Sequence, residues 1–310
     1  MPRRFGVEIE FQGDLSAVIA SLRAAGLETI DHTHSHDSGA SVPSWTVKRD
    51  GSVEGGGELV SPPLLFDHPD HRDQVTTAVL ALQNAGARPH ASAGIHVHVE
   101  ARNENGTNFT GRQLGSVVRF CYKFEDALYR IASSGWETIR PGARQYAQPL
   151  PRGLVERAAA AESEADILSL WEGGHDMRDG VRVFQPGVSR YLALNLHSYF
   201  FRGTIEFRYF NSSVNPDRVQ AYIALCVAIV EDARRGHYRK IANSYPLGSM
   251  RAGTVSEKAV FLRLQQILRT ESKKRGPNGN VQDTEILMSE EDWKLLRKVC
   301  WRCSVPQFSF

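Results

Sequence analysis

The feature that most constrains this chain is a period-two alternation of apolar and polar residues, repeated in separate short segments whose polar positions hold acids and imidazoles. In the first, Phe5, Val7, Ile9 and Phe11 alternate with Gly6, Glu8, Glu10 and Gln12. In the second, Ile95, Val97 and Val99 face one way and His96, His98 and Glu100 the other. In the third, Ile205, Phe207 and Tyr209 alternate with Thr204, Glu206 and Arg208. Each segment predicts a strand with one oily face and one chemically equipped face. Residues two apart on a strand lie roughly 6.5–7 Å apart on one side, close enough for neighbouring side chains to address adjacent ions.

Further elements follow from local signals. Asp14 caps a short helix through Leu15, Val18, Ile19 and Leu22, which Gly26 stops. A polar loop with His32, His34 and His36 comes next and reads as a solvated segment. Residues 44–60 predict two strands around Asp50-Gly51, whose glycine supplies the positive φ of a tight turn, and Pro62 and Pro63 end the pair. Asp70 or Asp73 starts a helix with Val75, Val79 and Leu82 on one side, closed near Gly86. Residues from about 110 to 174 are dominated by helical periodicity, and segments 190–199 and 203–210 predict a hairpin. Asn215-Pro216-Asp217 opens a helix that runs to Arg235 before Gly236. Beyond Ser256 the pattern predicts helix, a loop at 276–280, and a helix begun by Ser289.

The expected organisation is a main domain over 1–236 with a helical insertion at about 110–174, followed by a helical extension over 237–310. The expected class is α+β: a curved antiparallel sheet with helices packed on one face. At 310 residues, 41% of them hydrophobic, the chain can bury a sizeable core. Its formal charge of +2 is too mild to make nucleic acid or an acidic membrane surface the default partner. No apolar run approaches a membrane span, and the first ten residues hold two carboxylates and no secretory-type apolar stretch. Cys121, Cys226, Cys300 and Cys303 are not spaced as a disulfide framework, and Cys300 with Cys303 lacks the second pair of a zinc site. Together these predict a cytoplasmic protein with reduced thiols.

The candidate site is assembled by the sheet and by no single motif. Glu8, Glu10, Glu58, His96, His98 and Glu206 are candidate metal ligands. Carboxylates with one or two imidazoles favour magnesium or manganese acting with phosphate oxygens, whereas structural zinc sites are richer in cysteine. Arg208 fits the same chemistry, because a rigid guanidinium fork suits the charge that develops on a transferring phosphoryl group. Each piece also has a plain structural reading, as a solvated strand face or a strand-edge ion pair. Their coincidence on several strands favours the shared site.

At these residues the chain resembles the amidoligase family of the carboxylate-amine ligase superfamily, which shares the glutamine synthetase and glutamate-cysteine ligase fold. The resembling segments are Phe5-Gly-Val-Glu-Ile-Glu-Phe11, Trp45-Thr-Val-Lys-Arg-Asp-Gly-Ser52, Glu58-Leu-Val-Ser-Pro-Pro63, Gly94-Ile-His-Val-His-Val99, and Arg190-Tyr-Leu-Ala-Leu-Asn195 leading to Thr204-Ile-Glu-Phe-Arg208. The resemblance implies metal ligation by Glu8, Glu10, Glu58, a histidine of the His96/His98 pair and Glu206, with Arg208 at the transferred phosphate. It places Asp50 near an entering amine, although turn chemistry accounts for that residue equally well. Arg190 and Asn195 become candidate nucleotide or substrate contacts, Asn195 having the alternative of satisfying backbone groups. The implied cofactors are ATP with Mg2+ or Mn2+, and the implied partners are small-molecule or peptide carboxylate and amine substrates. The implied route runs through an acyl phosphate and yields ADP and phosphate. Two other readings stand beside it: a zinc-dependent hydrolase built on His96 and His98 with Glu8, Glu58 or Glu100 as base, and an inert relative that binds a nucleotide or peptide.

Overall fold

A computed structural model describes residues 3–32, 44–102, 108–132, 143–178, 181–236, 268, 272–275, 281–285 and 288–301. Its strands are β1 (Arg4–Gln12), β2 (Thr29–His32), β3 (Trp45–Arg49), β4 (Gly56–Val60), β5 (Leu64–Leu65), β6 (Gly94–Glu100), β7 (Gly173–Arg178), β8 (Val181–Pro186), β9 (Leu194–Asn195), β10 (Thr204–Asn211), β11 (Ser272–Arg275) and β12 (Val281–Glu285). One open eight-stranded sheet runs β2-β3-β4-β1-β6-β10-β9, with β5 pairing to the start of β1. All its pairings are antiparallel except β2 with β3. β7 pairs with β8 and β11 with β12 as separate two-stranded units.

The helices are α1 (Leu15–Ala24), α2 (Pro69–Asn84), α3 (Gly111–Lys123), α4 (Glu125–Ala132), α5 (Ala143–Tyr146), α6 (Arg152–Ala160), α7 (Glu164–Trp171), α8 (His197–Arg202), α9 (Pro216–Arg234) and α10 (Glu290–Trp301). None of the described helices is long and apolar enough to cross a membrane. Their starts follow the sequence signals. Asp14 accepts from Ser16 N and Ala17 N at 2.8 and 3.1 Å, and Asn215 accepts from Arg218 N at 3.2 Å with Pro216 in the first turn.

The oily strand faces build the core. Val7, Ile9, Phe11, Ile95, Val97, Val99, Ile205 and Phe207 are all buried, each such side chain contributing about 1.5–3 kcal/mol of burial free energy before ordering costs. α9 lies across β1, β6 and β10 and packs on α2 and α3. It seats the ring of Tyr222 against Phe210 at a centroid distance of 4.2 Å. Since Phe210 is the register partner of Ile95, this helix layer covers the apolar face. α10 docks on α9, and Arg72 of α2 donates to Asp292 at 2.7 Å.

Several local expectations are corrected. Asp50-Gly51 is not a tight two-residue turn: residues 50–55 make the connection, reversing over successive turns, and the positive φ falls on Gly55 at 64°. The histidine-rich loop is preceded by a strand, β2, which carries His32; His34 and His36 lie outside the described residues. α2 starts at Pro69, before Asp70, because proline suits the first helical position. The predicted hairpin over 190–210 keeps its second strand, but its first shrinks to β9. Residues 197–202 turn into α8, and Gly203, at φ 75°, closes that helix. An added Cβ on Gly203 would sit 2.8 Å from the Arg102 carbonyl, so backbone angle and space both demand glycine there. The extension is not all helix, since β11 and β12 flank the expected loop. Helices are not confined to one face either, because α8 reaches the polar side of the sheet through Ser198 and Arg202.

Candidate active site

Antiparallel register gathers the polar side chains. Directly opposed residues share a face. Lys48 opposes Glu58, which opposes Glu10. Glu8 opposes His96, and His98 opposes Glu206, which in turn opposes Asn195. Four neighbouring strands, β4, β1, β6 and β10, thus lay all six candidate ligands on one surface. That surface is not solvated: Glu8, Glu10, Glu58, His96, His98 and Glu206 are each at most 9% exposed. A mere amphipathic strand face would leave such groups in water.

Their donor atoms converge in three overlapping groups, within each of which the ligand atoms lie within 4.8 Å of one another: Glu8, Glu58 and His96; Glu8, His98 and Glu206; Glu10, Asp50 and Glu58. Glu8 and Glu58 each belong to two groups, so the seats form a chain across the strands. His96 Nδ1 hydrogen-bonds Glu8 Oε2 at 3.2 Å. His98 Nδ1 contacts the hydroxyls of Thr204 and Ser198 at 3.1 and 3.2 Å. The Nε2 atoms of both rings are buried and have no hydrogen-bond partner. They lie 3.5 Å from Glu10 Oε1 and 3.4 Å from Glu8 Oε1, within ion-pair reach of carboxylates but without hydrogen-bond geometry. Leaving a buried polar atom unmade costs about 1–3 kcal/mol, so two such atoms aimed at clustered carboxylates fit a divalent cation held jointly. Oxygen ligands with imidazole suit magnesium or manganese.

Electrostatics divide the carboxylates. Burial alone would raise Glu8, but the charge of His98 and the hydrogen bond from His96 hold it well below the usual carboxylate range. Glu206 is likewise lowered, its burial outweighed by His98, Arg208 and His96. Glu58 is pushed well above its usual range by burial and by the charge of Glu8, against the pull of Lys48. His98 is raised: burial acts to lower it, and the charges of Glu8 and Glu206 win.

Arg208 sits where β10 slips register between Phe207 and Phe210, a bulge that re-aims the side chain. Its Nη1 donates to Glu206 Oε1 at 2.6 Å and its Nε to the Tyr146 carbonyl at 3.0 Å. Asp50 joins Glu10 and Glu58 while accepting from Ser52 N at 2.7 Å, so its turn role and its place at the site coexist. Asn195 adjoins the site indirectly. Its amide donates to Glu206 at 2.7 Å and its carbonyl accepts from His197 N at 3.0 Å, both ends committed within the protein. Arg190 is not gathered in: it is exposed, with its guanidinium over the Tyr191 ring at 5.0 Å. Glu100 lies one step further along β6, 3.7 Å from Arg4. Cys300 belongs to α10, and Cys303 lies outside the described residues.

Sequence reasoning passed over four contributors. Lys48 bonds Glu58 at 2.6 Å, and its alternation with buried Trp45 and Val47 on β3 could have marked it. Thr204 falls on the polar face by the alternation of β10, and its hydroxyl contacts His98 Nδ1. Ser198 and Arg202, the latter 3.4 Å from Glu8, come from α8, which the strand-like alternation of Leu192, Leu194 and Leu196 does not announce.

A family model described as "putative amidoligase enzyme" matches residues 1–230. No curated protein matches the chain. Among solved structures, the crystal structure of the complex between the prokaryotic ubiquitin-like protein Pup and its ligase PafA is similar at 8% identity with a TM-score of 0.24, over 99% of this chain. The chain spans 59% of the length of the chain in that structure.

Proposed function

The chain belongs to the amidoligase family, and from that premise we propose that it joins a carboxylate to an amine at the expense of ATP, through an acyl phosphate, releasing ADP and phosphate. The observation that carries the reading is the pair of buried, unbonded histidine Nε2 atoms among converging carboxylates, with Arg208 fixed beside Glu206. Glu8, Glu10, Glu58, His96, His98 and Glu206 would hold magnesium or manganese, which supplies positive charge to phosphate oxygens when bound.

The chain's own residues do the rest. Arg208 offers a guanidinium, oriented by Glu206 and the Tyr146 carbonyl, to the charge that builds as a substrate carboxylate oxygen attacks the terminal phosphorus and ADP departs. Asp50, at the edge of the acidic group, accepts the proton shed when the amine nitrogen attacks the acyl carbon and phosphate leaves. Asn195 steadies Glu206. The same proposal takes the sheet as the curved catalytic sheet of glutamine synthetase-like ligases and residues 1–236 as the catalytic unit with 237–310 as an extension. The setting is cytoplasmic, consistent with the buried free thiols Cys121 and Cys226.

The deciding experiment incubates the protein with ATP, Mg2+ and arrays of small-molecule or peptide acids and amines, and reads products by mass. Condensation with loss of water, matched by ADP and phosphate, is the expected outcome. AMP and pyrophosphate would replace the acyl-phosphate route with adenylation. Hydrolysis supported by one bound zinc without ATP would install the hydrolase instead, and ATP binding without any turnover would install the inert relative.

A further inference from the structure

The two histidines of the site are held in different ways. His96 has its Nδ1 on Glu8, a carboxylate that belongs to two of the ligand groups, so anything that changes Glu8 changes His96 with it. His98 has its Nδ1 on two neutral hydroxyls that belong to no ligand group: Thr204 Oγ1 at 3.1 Å and Ser198 Oγ at 3.2 Å, the hydroxyls themselves 2.9 Å apart. Thr204 opens β10, whereas Ser198 lies in the first turn of α8. They meet because Gly203 closes the helix in a left-handed conformation and turns the chain straight into the strand. All three polar groups are in buried or partly buried positions; the other ring nitrogen of His98 lies 3.4 Å from Glu8 Oε1 without hydrogen-bond geometry, and His98, Glu8 and Glu206 form one of the ligand groups.

A neutral imidazole carries one N–H and one lone pair, and the partner of one nitrogen decides which atom presents which. A hydroxyl can accept a hydrogen bond from Nδ1–H and donate its own hydrogen to the neighbouring hydroxyl, as the contact between Ser198 and Thr204 allows. The lone pair is then left on Nε2, at the atom that faces the carboxylates. We propose that Ser198 and Thr204 are positioning residues that fix the ring and tautomer of His98, so that Nε2 is presented as a ligand to a divalent cation shared with Glu8 and Glu206. This rests on the metal reading proposed above. It adds a task for the α8–β10 corner: the corner presets a ligand without adding charge to the site.

The test uses the full chain. Manganese affinity is measured by calorimetry for the wild type, Ser198→Ala, Thr204→Val, the double variant and Thr204→Ser, with melting temperature checked for each. The His98 tautomer is read by nitrogen-15 NMR in the magnesium-loaded wild type. Losing an outer hydrogen-bond partner of a metal-bound histidine typically weakens binding about 10–100-fold. The double variant should therefore bind manganese at least about tenfold more weakly while still folded, and Thr204→Ser, which keeps the hydroxyl, should stay within about threefold of wild type. The NMR spectrum should show the proton on Nδ1. Manganese affinity unchanged without both hydroxyls, or a proton on Nε2 in the magnesium-loaded wild type, overturns the positioning role and leaves the metal site standing. No manganese binding by the wild type overturns both. If the double variant fails to fold, the single variants and the wild-type spectrum still decide.

Discussion

Replacing Arg208 by lysine separates a phosphoryl-transfer residue from a strand-edge ion pair. In the folded protein the Arg208 side chain is 15% exposed and its head is split: Nη1 on Glu206 at 2.6 Å, Nε on the Tyr146 carbonyl at 3.0 Å. Lysine restores one positive charge near Glu206 but not the planar fork, and it cannot occupy both positions at once. The stability cost should be near one ordinary hydrogen bond, about 1 kcal/mol, or a fall of roughly 1.5 °C in melting temperature for a chain of this length. Arg208→Ala removes the charge altogether. Breaking one partner of a buried pair costs about 3–5 kcal/mol, here toward the lower end because Asn195 still donates to Glu206. The chemical cost is different. If the fork meets charge that exists only in the transition state, losing it should cut turnover on the order of 10²–10³-fold, as for one fixed donor. Nucleotide affinity should change far less. The assay follows ADP release with an acid and amine pair that condenses, ATP binding by titration, and melting temperature, for both variants. Arg208→Lys within about threefold of wild-type turnover would remove Arg208 from the chemistry and leave it as a partner of Glu206.

Two predictions bear on parts of the fold outside the site. Burial raises the Asp232 carboxyl to about 7, against the opposing charge of Arg235. Between roughly pH 4 and pH 7 the unfolded chain ionises this group before the folded chain does, so it costs stability progressively as pH rises through that window and most above it. Asp232→Asn should therefore stabilise the protein more at pH 8 than at pH 5, by about 2–3 kcal/mol, and an equal effect at both pH values in urea titrations would refute the assignment. Arg72 ties α10 to the core through Asp292 at 2.7 Å and Gln220 at 3.0 Å, with its guanidinium over Phe66 at 4.9 Å. Arg72→Ala should cost about 2–3 kcal/mol, less than for a fully buried pair because Arg72 retains some exposure, and should speed hydrogen exchange across 290–301; unchanged exchange there would show that α10 is held by other contacts.

What the sequence made legible follows from which signals are local. Alternation at Phe5–Phe11 and Ile95–Val99 announces strand and facing together, because a period of two leaves no other way to bury one side. Caps such as Asp14 and Asn215 announce helix starts because the bond they make spans only a few residues. Register was not legible, since nothing within β1 says that Glu10 will oppose Glu58 while Glu8 opposes His96. The six side chains that converge were nonetheless recoverable as a group, because each lay on a polar face and the family segments named the strands. What escaped were residues whose role depends on a chain reversal. The alternating Leu192, Leu194 and Leu196 read as a strand, yet they are buried around a two-residue strand and a helix, and the departure hangs on Gly203. Ser198 and Arg202 enter the site only through that corner.

The same corner bears on how the charges of the polar face are balanced. Glu8, Glu10, Glu58, Glu206 and Asp50 confront three fixed cations, and each cation stands on a different element. Lys48 of β3 takes Glu58, Arg202 of α8 takes Glu8, and Arg208 of β10 takes Glu206. Glu10 has the amide of Gly94 at 2.6 Å. Against a net folding stability of about 5–15 kcal/mol, even one such carboxylate buried without a partner would be a serious loss. Lys48 and Arg202 approach from opposite borders of the face and are more exposed than the carboxylates they hold, with side-chain exposures of 29% and 38% against 7% for Glu58 and 11% for Glu8. Their long stems keep the charged heads near water. On the proposed reading, a divalent cation occupying those oxygens would release the Lys48 and Arg202 heads at the borders of the face. On that reading the same two side chains, freed from Glu58 and Glu8, would be available to an anionic substrate.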